Sequence, residues 1–215
     1  MKIGLKGITD AVTFNHANSF GIESFSFDLR PRSFNFIQEY MIVEILRLNP
    51  TSSRCSLLFA DEKDFMVQEL CTRVEEQTGL NCLPEFAGVE SISDLEKLKR
   101  PYLWHYHTLG KIKDIYQADY LDSIILNQDI LKTYDDAGEL IGFFNLLKEK
   151  EGLKVEILVD WDSPIPMSLL EMFPIECLSF EVNNKVEISY RNIDFDMMKL
   201  HFKEVTSMIS QLDAR

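Results

Sequence analysis

"IGLKGITDAVTFNHANS", residues 3–19, carries the pattern that the rest of the chain repeats. A short apolar run, Ile3–Lys6, reads as a strand. Gly7 breaks it, Thr9 can cap a helix, and "DAVTFNHANS" reads as that helix. The same sequence of events recurs downstream. "IESFSF" (22–27) is followed by "FNFIQEYMIVEILRL", and "RCSLLFA" (54–60) by "DEKDFMVQELCTRVEEQTG", which Gly79 closes. "LNCLPEF" (80–86) precedes "SISDLEKLKR", with Ser91 or Ser93 as cap, and "PYLWHYH" (101–107) precedes "LGKIKDIYQ". "DYLDSIIL" (119–126) leads through a polar loop to "AGELIGFFNLLKEKEG". "KVEILVDW" (154–161) leads to "IPMSLLEMF", with Asp162 before Ser163-Pro164 as a cap. "PIECLSFEV" (174–182) leads past a long loop to "DFDMMKLHFKEVTSMISQL".

Strand–helix alternation implies a parallel sheet, because a parallel crossover needs an intervening helix. Eight such units predict a single (β/α)8 TIM barrel domain spanning residues 1–215, with minimal loops. The open doubly wound alternative lacks its G-x-G-x-x-G turn after the first strand. Aromatics on the strands (Phe25, Phe27, Trp104, Tyr106, Phe180) serve either as barrel filler or as helix–sheet packing.

Composition narrows the partners. The chain has 35 acidic and 22 basic residues, a net charge of −13, and no basic stripe. Nucleic acid and anionic membranes are therefore not expected partners. No apolar run reaches membrane-spanning length, and no leader pattern precedes the first strand. The four cysteines (Cys55, Cys71, Cys82, Cys177) are widely spaced with no C-x-x-C, which reads as free thiols in the cytoplasm.

In a (β/α)8 barrel the working residues stand at the C-terminal ends of the strands. That selects Lys6, Asp28, Arg30, Asp61, Glu85, His105, His107, Asp122, Asp160, Asp162 and Glu181. His105 and His107, two apart on one strand, share a face. With a carboxylate such as Glu85 or Asp122 they could ligate a divalent ion, although packed histidines are commoner and no metal is assigned.

The opening stretch resembles the first strand and turn of the phosphoribosylanthranilate isomerase family, V-K-I-C-G-I-T, with Gly7, Ile8 and Thr9 in step. "GIESFSFDLRPRSFNFI" is similar to that family's next block, with Gly21, Phe27, Pro31, Ser33 and Ile37 in step. "DYLDSIIL" looks like its sixth strand, and "IECLSFEV" like its eighth. The resemblance implies a cofactor-free ribose rearrangement in tryptophan synthesis, run by one base and one acid. It also implies a phosphate held after strands seven and eight.

Several of the family's working parts differ here. Lys6 stands where the resemblance puts a cysteine base. An unperturbed lysine, with a pKa of about 10.4, cannot accept a proton at neutral pH. Asp122 matches the aspartate acid that ends strand six. Lys6 and Asp122 are thus the candidate catalytic pair, or else a salt bridge across the mouth. The substrate-contacting positions fall on Asn35, with Arg30 and Arg32 nearby, and on Asp160 and Ser179 in the phosphate loops. Bulky and acidic residues (Asp160, Trp161, Asp162, Phe180, Glu181) replace the glycines that would let backbone N–H groups meet a dianion. The expectation is a diverged barrel without the standard isomerase activity. It would bind a small-molecule ligand or a protein partner, as monomer or homodimer. The open alternative is an isomerase or lyase that uses Lys6 and Asp122.

Overall fold

In the computed structural model, which describes residues 1–87, 91–107, 112–162 and 165–213, eight parallel strands close into a barrel in chain order. The strands are β1 (Lys2–Lys6), β2 (Ser24–Asp28), β3 (Arg54–Phe59), β4 (Cys82–Phe86), β5 (Tyr102–His105), β6 (Leu121–Asn127), β7 (Lys154–Val159) and β8 (Cys177–Glu181). Between them run α1 (Ala11–Ser19), α2 (Glu39–Leu48), α3 (Asp64–Thr78), α4 (Ile92–Leu95), α5 (Ile112–Tyr116), α6 (Gln128–Asp136), α7 (Leu140–Glu149) and α8 (Met167–Met172). A small hairpin of β9 (Glu187–Ser189) and β10 (Asn192–Ile193) precedes the last helix, α9 (Phe195–Asp213).

The local signals account for most of these elements, with four corrections. Asp10, not Thr9, caps α1: its carboxylate accepts from the Thr13 N–H at 2.8 Å. The polar stretch after β6 is itself a helix, α6, because the Asn127 side chain caps it by accepting from the Ile130 N–H. Strand β5 ends at His105, so His107 lies past the strand and the two histidines do not share a face. Asp162 does not cap α8, whose N-cap is Pro166; Ser163 and Pro164 lie outside the described residues, as do residues 109–111 of the expected fifth helix.

The two-residue period of the strands produces two layers. Outward residues pack against the helices and form the apolar core. Phe14 of α1 meets Phe25 at 4.5 Å between ring centroids and Phe27 at 6.3 Å. Trp161 and Phe180 pack together on Phe202 of α9. The strand aromatics are thus helix–sheet packing, each worth about 1.5–3 kcal/mol when fully buried. Inward residues are largely polar: Lys6, Ser24, Ser26, Asp28, Ser56, Glu85, Ser123, Glu156 and Ser179 are all buried. The four cysteines are buried and unpaired, and burial pushes the Cys177 thiol up to about 12.

Gly4 makes the polar interior possible. A Cβ there would stand 2.6 Å from Ser179 Oγ and 3.2 Å from Cys177 Sγ. Gly4→Ala therefore overpacks the barrel axis. Urea denaturation should show a loss of about 1–3 kcal/mol with an unchanged m value. Wild-type stability in that variant would mean the interior is looser than described.

Candidate active site

The interior polar residues join into one column. At its base, Lys154 Nζ lies 2.6 Å from Asp122 Oδ1, and Arg54 Nη1 lies 3.6 Å from Asp122 Oδ2. Arg54 Nη2 donates to Glu156 Oε2 at 2.7 Å. Glu156 Oε1 then meets Lys6 Nζ at 2.8 Å and accepts from Ser179 Oγ at 2.6 Å. Lys6 Nζ continues to Glu85 Oε1 at 2.9 Å, and Glu85 Oε1 reaches His105 Nε2 at 2.6 Å. Ser26 and Ser56 donate to the other Glu85 oxygen at 2.8 and 2.6 Å. Three cations and three carboxylates thus alternate along the barrel axis and end on a histidine at the mouth.

The charges sustain one another. Burial opposes the Lys6 ammonium, but Glu156 and Glu85 outweigh it and raise the lysine pKa. Burial would likewise push Glu85 up, yet Lys6 and His105 hold it well below the usual carboxylate range. Glu156 is lowered too, against burial, by Lys6 and Arg54. Glu85 is thus an acceptor only, so the proton between it and His105 sits on Nε2.

The expected Lys6–Asp122 pair does not form. Asp122 is the second residue of β6, at the barrel's N-terminal end, and its partners are Lys154, Arg54 and Ser123. Charge pairs on that face serve stability. The residue that ends β6 is Asn127, five places on, an amide that caps α6.

The other expected site residues also have partners within the chain. Arg30 grips Asp28 in a two-pronged ion pair, Nε to Oδ1 at 2.9 Å and Nη2 to Oδ2 at 2.7 Å. Arg32 is exposed on the loop after β2. Asn35 is buried and donates to the Val182 carbonyl at 2.7 Å, tying the loop after β2 to the end of β8. It packs over Gly7, whose φ of 79° and missing Cβ leave room for the amide. Ser179 is mid-strand inside the column, below the mouth. Asp160 and Asp162 share Lys185, at 2.7 and 2.8 Å.

Asn127, Asp160, Glu181 and Lys185 are among the residues lining a pocket of about 250 Å³ at the strand ends. No hydrogen bond to the Glu181 carboxyl is seen among the described residues. Burial raises its pKa, with His105 and Arg30 opposing and Asp28 reinforcing the rise. No cluster of metal-ligating side chains occurs among the described residues, and His107 packs edge-on to Trp104 at 5.5 Å. Arg54 and Glu156 escaped the strand-end reading because they stand at or near the starts of their strands. The signal available for them was polar alternation in "RCSLLF" and "KVEILV".

No family model and no curated protein sequence matches the chain. Solved structures do. The chain is similar to phosphoribosyl anthranilate isomerase from Thermus thermophilus over 97% of its own length and 100% of that chain, with a TM-score of 0.71 at 18% identity. The isomerase from Thermotoga maritima gives 96% and 99%, 0.71 and 17%. A phospho-2-dehydro-3-deoxyheptonate aldolase from Thermotoga maritima gives 100% and 69%, 0.62 and 15%. At these identities the likeness is one of fold.

Two measurements test the electrostatics. Lys6→Met leaves Glu85 and Glu156 without their shared ammonium and should cost about 3–5 kcal/mol at pH 7. Both carboxyls are depressed in the fold, so the stability they contribute is present above their unfolded pKa and lost as pH falls through the folded one. The gap between wild type and variant should therefore narrow in acid, and a gap independent of pH would refute the pairing. Glu181 has the opposite sign: its raised pKa means that ionisation costs stability as pH rises from the unfolded value of about 4.3. Thermal melts of Glu181→Gln should gain on wild type between pH 4 and pH 8.

Proposed function

We propose that this chain is a barrel of the phosphoribosylanthranilate isomerase type that has given up that isomerase's reaction, and that its mouth receives a small uncharged ligand instead. The observation that carries this reading is the fate of the two strand ends where the resemblance places base and acid. Lys6, at the end of β1, is held as a cation between Glu85 and Glu156. An ammonium bound by two carboxylates has no lone pair to accept a proton. Asn127, at the end of β6, is an amide with no proton to donate as an acid, and it is occupied with capping α6.

The choice of an uncharged ligand rests on the cations. Lys6, Arg30 and Lys185 are lodged among the mouth carboxylates, and each is already bound to one or two of them. A phosphate entering beside Asp160, Asp162 and Glu181 would have to displace one of these pairs. Two like charges about 4 Å apart repel by roughly 1 kcal/mol in water and by several in a drier site.

Purified protein should give no turnover of phosphoribosylanthranilate above background and should not rescue a tryptophan auxotroph that lacks the isomerase. Titration with a phosphoribosyl analogue should release no binding heat at millimolar concentration. Rescue, or micromolar binding, would return the chain to the isomerase reading. Borohydride trapping with small ketoacids should leave Lys6 unlabelled at pH 7, as expected for a lysine kept protonated.

A further inference from the structure

We propose that His105 and Glu181 are the base and the acid of a proton-transfer site at the barrel mouth, acting on a small unphosphorylated hydroxycarbonyl compound. This inference rests on the reading of an uncharged ligand given above.

The geometry supplies an oriented histidine. His105 ends β5, and its Nε2 is fixed at 2.6 Å from Glu85 Oε1. Glu85 cannot turn away, because Lys6, Ser26 and Ser56 hold both of its oxygens. A carboxylate that binds one imidazole nitrogen sets the tautomer and leaves the other nitrogen basic. Among the described residues, no side chain bonds Nδ1. Buried carboxylates elsewhere in the column are consumed by their cations, whereas this nitrogen is not, and His105 keeps a side-chain exposure of 19%.

Glu181 supplies the acid. It ends β8, beside Lys6 in the sheet register and three strands from His105 around the barrel. It lines the pocket at the strand ends. The titratable and charged groups that act on its carboxyl are His105, Arg30, Asp28 and Lys6. Arg30 is bound to Asp28, and Lys6 to Glu85 and Glu156, so neither cation claims the Glu181 carboxyl. Burial favours its protonated form.

The reaction balances without a cofactor. His105 Nδ1 takes a proton from the hydroxyl-bearing carbon next to the carbonyl. The released C–H pair becomes the C=C bond of an enediol, and the carbonyl π pair moves to oxygen, which takes the Glu181 proton. In the return step, Glu181 removes the proton of the other hydroxyl as its C=O forms. The imidazolium then delivers its proton to the former carbonyl carbon. The net change is a shift of the carbonyl by one carbon.

The test is deuterium incorporation into dihydroxyacetone in D2O, followed by proton NMR, with glyceraldehyde 3-phosphate as the charged comparison. Exchange should exceed that of free imidazole at equal concentration by about 100-fold or more, the scale of positioned acid–base catalysis. Glu181→Gln and His105→Gln should each lower the rate by about the same factor. Circular dichroism would confirm that Glu181→Gln is folded. Exchange no faster than imidazole, or unchanged in Glu181→Gln, overturns the proposal. Dihydroxyacetone binding without exchange overturns the acid–base pair while leaving the uncharged-ligand reading intact. Faster exchange of the phosphate ester overturns both.

Discussion

The Lys6 ammonium, held between Glu85 and Glu156, is the interaction on which the rest of the interior depends. Glu85 and Glu156 rise from different sides of the barrel, on β4 and β7, and both are fully enclosed. Neither carboxylate would survive burial without a cation, and one lysine serves both. Arg54 supports Glu156 from below, and His105 takes the remaining side of Glu85. Removing Lys6 leaves two carboxylates short of a cation where water does not reach. Such a network is worth little against an apolar core of equal volume, but breaking it in part is costly. It also fixes the register of the closed sheet, because Lys6–Glu85, Lys6–Glu156 and Arg54–Glu156 each join strands that are not sheet neighbours.

That arrangement has a functional consequence. A charge column that needs Lys6 as a cation cannot also offer it as a base. The same column orients His105, since Glu85 anchors its Nε2. Stability and reactivity are thus separated along the axis: the lower pairs are closed, and the last member, at the mouth, keeps one nitrogen open. Above the column, Asp28–Arg30 and Asp160–Lys185–Asp162 neutralise the rim in pairs. Asn35 and Gly7 lock the loop after β2 to the end of β8. The rim is therefore built from internal contacts that, among the described residues, leave the Glu181 carboxyl unbonded.

The shift from Asp122 to Asn127 has a simple origin. "DYLDSIILN" contains two polar residues that end a recognisable pattern, one before the apolar run and one after it. Sequence similarity aligned the earlier one, Asp122, with the end of the strand. Hydrogen bonding to β5 and β7 continues to residue 125 and residue 127 respectively, so the strand runs through the apolar stretch and Asp122 falls at its start. The acid proposed at the mouth is Glu181, which the strand-end rule had selected but the family likeness had not.

The eight strand–helix units, the closed barrel and the shortlist of strand-end residues were determined by the sequence itself. These depend on local periodicity, caps and turn residues, and each acts within about ten residues of chain. Glu85, His105 and Glu181 were already on that shortlist. What only the tertiary structure decided is who meets whom. Lys6 and Glu85 are 79 residues apart, and Arg54 and Glu156 are 102 apart. A two-residue period says that faces alternate but not which face turns inward, so Ser26, Ser56 and Glu156 could not be told from solvent-facing residues. Barrel closure brings their strands around one axis, and the cost of burying an unpaired charge then selects the partners.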